Sequence, residues 1–162
     1  VGAGKKDTVW VADQVVTIMR ANLDAALVTV AADYSDGIGL PAIPSASMFI
    51  AEKRRLAAPP FLCIIPDRAD PGLPTGEDRY DIEFHYLTAA VVDGGNIDEE
   101  RLKRRCGRYL RAIQQVLQDN PTLGSTVEDA QAVPPRNYAP MMAGDSGLIQ
   151  EAQVTIRVVT ML

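Results

Sequence analysis

At 162 residues, with 47% apolar and 23% charged side chains, the chain is long enough to bury a core without staples, and too apolar for a disordered acidic segment. Its net charge of −5 speaks against a general nucleic-acid coat, whose binding rests on neutralising phosphates, while leaving room for a local basic patch. Two cysteines without CxxC spacing, no signal-cleavage pattern after Val1-Gly2-Ala3-Gly4-Lys5-Lys6, and no stretch near the roughly 20 apolar residues of a membrane helix predict a reduced, intracellular protein that crosses no membrane.

Residues 1–6 are small and basic, and are expected to be flexible. Asp7 or Thr8 can cap a helix over about 8–27 by accepting from its free N–H groups. Ala12, Val15, Val16, Met19, Leu23, Ala26 and Leu27 recur at helical spacing and predict one core-facing stripe. Trp10 is placed to anchor this helix or to face a partner. Residues 33–47 read as loop, because Asp33-Tyr34-Ser35-Asp36-Gly37 punctuates the chain and Pro41 and Pro44 prevent regular helix. Met48 to Arg55 reads as a short extended segment or a helical turn. Pro59-Pro60 precede the apolar run Phe61 to Ile65, closed by Pro66-Asp67, which predicts a short central strand covered on both faces. Residues 66–78 are expected to form a protruding connection or hairpin arm.

Tyr80 to Val92 alternates, with Ile82, Phe84, Tyr86, Ala90 and Val92 on an apolar face and Asp81, Glu83 and His85 on a polar one. Asp93-Gly94-Gly95 is expected to break that strand. A second helix is predicted over about 97–118, with Asn96 and Glu99 as a capping pair and Asp98, Glu99 and Glu100 in its first turn. Leu102, Cys106, Tyr109, Leu110, Ile113, Val116 and Leu117 form its apolar stripe, and Asp119-Asn120-Pro121 stops it. Gly107 sits mid-helix at a cost that close packing against the sheet would explain. Thr122 to Asp129 reads as a turn into a short strand, 133–147 as a long protruding loop, and Ala152, Val154, Ile156 and Val158 as an alternating final strand. Cys63 and Cys106 occupy apolar positions and read as small hydrophobes.

The fold class expected is thus α+β: one domain over 1–162, with a mixed, largely antiparallel sheet packed on one face by two main helices. Chemistry is sparse. Gly2-Ala3-Gly4-Lys5-Lys6 lacks the spacing, the hydroxyl residue and the preceding strand of a phosphate loop. His85, the single histidine, has no nucleophile or orienting group in a known motif, and reads as a solvated strand residue. Asp33 and Asp36 beside Gly37 supply too few ligands for a calcium loop, and read as turn formers. No catalytic residue, cofactor or metal site is expected. Arg101, Arg104, Arg105, Arg108 and Arg111 form a cationic band along the second helix. That band is either a solvated face, partly paired through Glu100 and Arg104, or a subunit contact with an acidic surface of an identical neighbour, with DNA contact as a third and weaker option. Tyr138, Pro140, Met141 and Met142 are awkward in water and suit a partner surface.

The N-terminal helix, the proline-flanked strand at 59–66, the alternating strand, the long helix with Arg108-Tyr109-Leu110-Arg111-Ala112-Ile113-Gln114-Gln115-Val116-Leu117 and the closing Gln153-Val154-Thr155-Ile156-Arg157-Val158 together resemble the tail terminator, or tail-completion, proteins of tailed bacteriophages. The similarity spans about 7–162 and rests on element order and character. The chain departs from it at 28–58 and 133–147. The resemblance implies a virion protein made in the host cytoplasm, a hexameric homo-oligomer that ends the tail tube and meets the head connector, with DNA passing its lumen and no catalytic residues. Arg101, Arg104, Arg105, Arg108, Arg111, Tyr138, Met141 and Met142 are then the candidate subunit-interface residues. Another neck ring (head-closure or connector-adaptor) is the first alternative, and a small oligomeric α/β enzyme with an inter-subunit site the second.

Overall fold

The computed structural model describes residues 6–50, 58–72, 74–75, 79–80, 82–144 and 147–161. The expected basic N-terminal segment and its phosphate-loop-like glycines, the 51–55 part of the Met48 to Arg55 segment, the 73 and 76–78 part of the arm, Asp81, and the 145–146 part of the 133–147 loop lie outside the described residues, apart from Lys6. In chain order the elements are α1 (Thr8–Ala32), a 3-10 turn (Ser45–Ser47), β1 (Met48–Ile50), β2 (Phe61–Pro71), β3 (Pro74–Thr75), β4 (Arg79–Tyr80), β5 (Ile82–Gly95), α2 (Glu99–Asp119), β6 (Asp129–Tyr138), β7 (Met142–Gly144) and β8 (Gly147–Met161). The chain is α+β. Its main sheet runs β1-β2-β5-β8-β6, with β7 also pairing β8. Only the β1–β2 pair is parallel within that described sheet.

Asp7 caps α1, its carboxylate accepting from the Trp10 N–H at 2.7 Å. The helix runs five residues past the expected end at Leu27, because Val30 continues the core stripe and no breaker occurs before Asp33. By length and composition alone α1 reaches what a membrane crossing needs, contrary to the expectation that no stretch does. In this fold nine of its residues, from Val11 to Val30, are buried against the sheet and α2. Helix α2 is capped by Asp98, which accepts from the Arg101 N–H at 2.9 Å, and not by the expected Asn96. Each residue of its predicted stripe is buried.

Both helices lie on one face of the sheet. Their stripes meet Leu62, Ile64, Leu87, Ala89, Val91, Ala152, Val154, Ile156 and Val158 in one core. The two faces of β5 are therefore assigned opposite to expectation: His85 lies on the helix-covered side with Leu87, whereas Phe84 and Tyr86 lie on the other. Alternation cannot say which face is covered when each carries apolar residues. Phe61, Cys63, Ala90 and Val92 form a smaller cluster on the far side of the sheet, packed by Phe49, Ile65 and Ile149.

Three expected interruptions are strand. Ladder pairing carries β2 through Pro66 to Pro71, against β5 from Leu87 to Glu83. It carries β5 through Asp93, Gly94 and Gly95 against Gln150, Ile149 and Leu148. The predicted 133–147 loop is largely β6 and β7, both hydrogen-bonded to β8. Proline lacks the ladder N–H, and here register shifts at Pro66/Arg68 and Val133/Arg136 absorb it. The arm at 66–78 is thus a continuation of the β2–β5 hairpin, with Gly72 N–H donating to the Ile82 carbonyl at 2.9 Å and β3–β4 pairing beyond it.

Candidate functional site

The arginine band is spent largely inside the chain. Arg108 grips Asp36 with both terminal nitrogens, one at 3.1 Å from Oδ1, and its guanidinium lies 3.8 Å from the Tyr34 ring centre. Arg111 donates to Asp33 at 2.8 Å and to the Tyr34 hydroxyl at 3.0 Å. The hydrogen bond from Arg108 holds the Asp36 carboxyl down to about 2. Arg104 pairs with Glu100 at 2.7 Å and Arg101 with Asp98 at 3.4 Å. Arg105 reaches the buried Asp93 at 2.8 Å. Arg105 and Arg108, with side chains 13% and 6% exposed, are thus withdrawn from the surface, whereas Arg101, Arg104 and Arg111 stay about half exposed. Asp33 and Asp36 are therefore counter-ions that clasp the 33–36 loop onto α2. Arginines one turn apart at 104, 108 and 111 were the sequence signal for an acidic loop lying across them.

His85 is fully buried and not solvated. Its Nδ1 lies 3.0 Å from Thr8 Oγ1, its Nε2 3.0 Å from Thr160 Oγ1, and Glu83 stands 3.7 Å from Nε2. The ring thus fastens the first turn of α1 to β8. Burial pushes its pKa down, against the pull of the Glu83 and Asp7 charges. The unfolded chain therefore takes up a proton before the folded one does. Stability is full above about 6.5, the ordinary histidine value, and declines as pH falls through it. Urea midpoints are expected to drop between pH 7.5 and 5.5, by no more than about 1.4 kcal/mol per pH unit from this one group. His85→Gln should flatten that slope, and an unchanged slope would assign it to other groups.

The candidate Tyr138 and Met142 do not form one cluster. Tyr138 is on the helix side, its hydroxyl so near α2 that a Cβ on Gly107 would sit 3.0 Å from it. Gly107 thus makes room for a single aromatic tip. Met142, 62% exposed, walls a cavity of about 330 Å³ on the far side of the sheet, with Pro59, Phe61, Val92, Pro140 and Ile149. Buried Gln150 pins this wall, donating to the carbonyls of Ala139 at 2.7 Å and Glu151 at 2.8 Å. Met141 is half-buried beside it. The cavity is apolar and at the small end of ligand pockets, so it suits one large apolar side chain.

Among the described residues, no group of three His, Cys, Asp or Glu is arranged to hold a metal ion. Cys63 and Cys106 are both buried and neither is in a disulfide. Burial pushes the Cys106 thiol up to about 12, which removes thiolate reactivity at neutral pH. No protein-family model matches the chain, and no curated protein matches it.

Proposed function

We propose that this chain is a structural virion protein that forms a ring ending a phage tail tube and joining it to the head connector. The observation that carries the reading is a sheet whose second face carries no helix among the described residues, although it bears Ile65, Phe84, Tyr86, Val159 and Met161. A sheet face with that many apolar side chains needs a covering layer, and identical neighbours can supply one. The order of elements that carries the resemblance to tail terminators is consistent with it. In this reading the partners are identical copies, with a hexamer expected, the tail tube and the head connector, and DNA traverses the lumen.

Deleting the coding sequence from its phage tests the role. Tubes of irregular length that never join heads are the expected result. Finished tails beside unjoined heads would favour a head-closure or connector-adaptor ring instead. Joined, infectious particles would remove the reading altogether.

A further inference from the structure

Where α2 runs beside β6, the surface between them is lined by two arginines and three glutamines. Arg111, Gln114, Gln115 and Gln118 stand on one face of α2, at the i, i+3, i+4, i+7 spacing, and Arg136 reaches them from β6. Together they wall an open cleft of about 390 Å³ whose lining contains no carboxylate. The approach of Arg136 is built into the strand. Pro134 and Pro135 fall in the register shift between the pairs Val133–Thr155 and Arg136–Val154. A bulge of this kind re-aims the neighbouring side chain. Here it sets Arg136 on the helix-covered face with Val154, where its guanidinium donates to Gln114 Oε1.

Donors outnumber acceptors in this cleft, because a guanidinium carries five N–H groups and accepts nothing. Arg111 spends donors on the Tyr34 hydroxyl at 3.0 Å and on Asp33 at 2.8 Å, so its charge is answered. Gln115 is turned to Asp119 at 3.1 Å. Arg136, by contrast, meets only the neutral amide of Gln114, and no described carboxylate pairs with it. That bond occupies the Gln114 oxygen and leaves its NH2 group as a donor. Gln118 makes no hydrogen bond among the described residues. An anion that accepts from a helix on one side and a strand on the other would satisfy all three. A carboxylate presents two oxygens in one plane, whereas the tetrahedral oxygens of a phosphate accept from several directions and match guanidinium geometry.

We propose that the cleft between α2 and β6 binds a phosphate group, with Arg136 and the amides of Gln114 and Gln118 as donors and Arg111 as a supporting charge. The site goes beyond the ring reading and does not rest on it. Two sources share this chemistry: a free phosphate compound and a phosphate of a nucleic-acid backbone. The net charge of −5 repels a polyanion as a whole. A backbone is therefore held at this one place on each chain, with an affinity that depends on salt.

Phosphorus NMR of inorganic phosphate titrated with the full chain at low salt tests the site, since it observes the ligand whatever the size of the assembly. Saturable broadening is expected for the wild type. Arg136→Gln should weaken it at least about tenfold, the loss of a charge-assisted bond, and Gln118→Glu should abolish it by placing a like charge in the cleft. Both positions are exposed, and native circular dichroism checks the fold of each variant. Arg104→Gln is the control, because Arg104 pairs with Glu100 at 2.7 Å outside the cleft, and it should bind as the wild type does. A wild type without saturable broadening overturns the site. So does equal weakening by Arg136→Gln and Arg104→Gln, which would mean diffuse attraction, or a Gln118→Glu variant that binds normally. A duplex DNA oligonucleotide, followed by fluorescence anisotropy over a salt series, separates the two sources. If Arg136→Gln lowers its affinity and makes the salt slope shallower by about one, the site takes a backbone phosphate. If DNA affinity is unmoved while phosphate binding is lost, the site takes a free phosphate compound.

Discussion

Arg105→Met is expected to destabilise the fold by about 3–5 kcal/mol, because it strands a carboxylate that has no access to water. Asp93 is 0% exposed and stands 2.8 Å from Arg105 Nε. Burial pushes the Asp93 carboxyl up, while Arg105 and the Gly94 N–H oppose that rise. Without Arg105, the Gly94 N–H at 2.8 Å remains as a partner. The folded variant should then hold a proton that the unfolded chain releases near the ordinary carboxylate value. Its stability is accordingly highest in acid and declines as pH rises through the folded pKa, the opposite sign to His85. Urea midpoints at pH 4.5 and 7 measure both effects. Asp93→Leu combined with Arg105→Met removes both charges together and should return to within a few kcal/mol of wild type. Equal midpoints for wild type and Arg105→Met would show that the pair contributes nothing to stability.

Tyr109→Ala should cost a further-reaching loss, about 3–5 kcal/mol from cavity formation, with a fall in Tm of about 2–4 °C per kcal/mol for a chain of this size. Tyr109 is the largest fully buried side chain in the described core. Its hydroxyl donates to the Pro41 carbonyl at 2.6 Å, tying the loop after α1 down onto α2. Tyr109→Phe separates the two contributions. It keeps the ring, removes the hydrogen bond and should cost about 1 kcal/mol. Amide exchange at Ile38 and Ile43 is expected to quicken in Tyr109→Phe even where global stability barely moves. If exchange there is unaltered, the hydroxyl is not what holds the loop.

The helices were legible because their signals are local. Leu102, Cys106, Tyr109, Leu110, Ile113, Val116 and Leu117 recur at helical spacing, and all are buried. The covered face of β5 was not legible, since Leu87, Ala89 and Val91 on one side are matched by Phe84, Tyr86 and Val92 on the other. Only the partner layer decides between them. Pro66, Pro134 and Pro135 look like strand ends in one dimension, and become bulges once a neighbouring ladder supplies the remaining hydrogen bonds. The arginines of α2 were visible as a band, but their partners Asp33 and Asp36 lie about 70 residues earlier, a pairing that only tertiary structure makes.

Strand β8 lies between β5 and β6, and it also pairs β7. During synthesis the β2–β5 hairpin is complete well before β8 appears, and at ribosomal rates it waits on the order of seconds with an unsatisfied edge. Among the strands of this sheet β8 is made after all its neighbours, and its arrival joins β5 to β6 in one event. Until β8 is made, β5, β6 and β7 keep unpaired edges, so for those seconds the growing sheet is open to pairing with any other strand that reaches it.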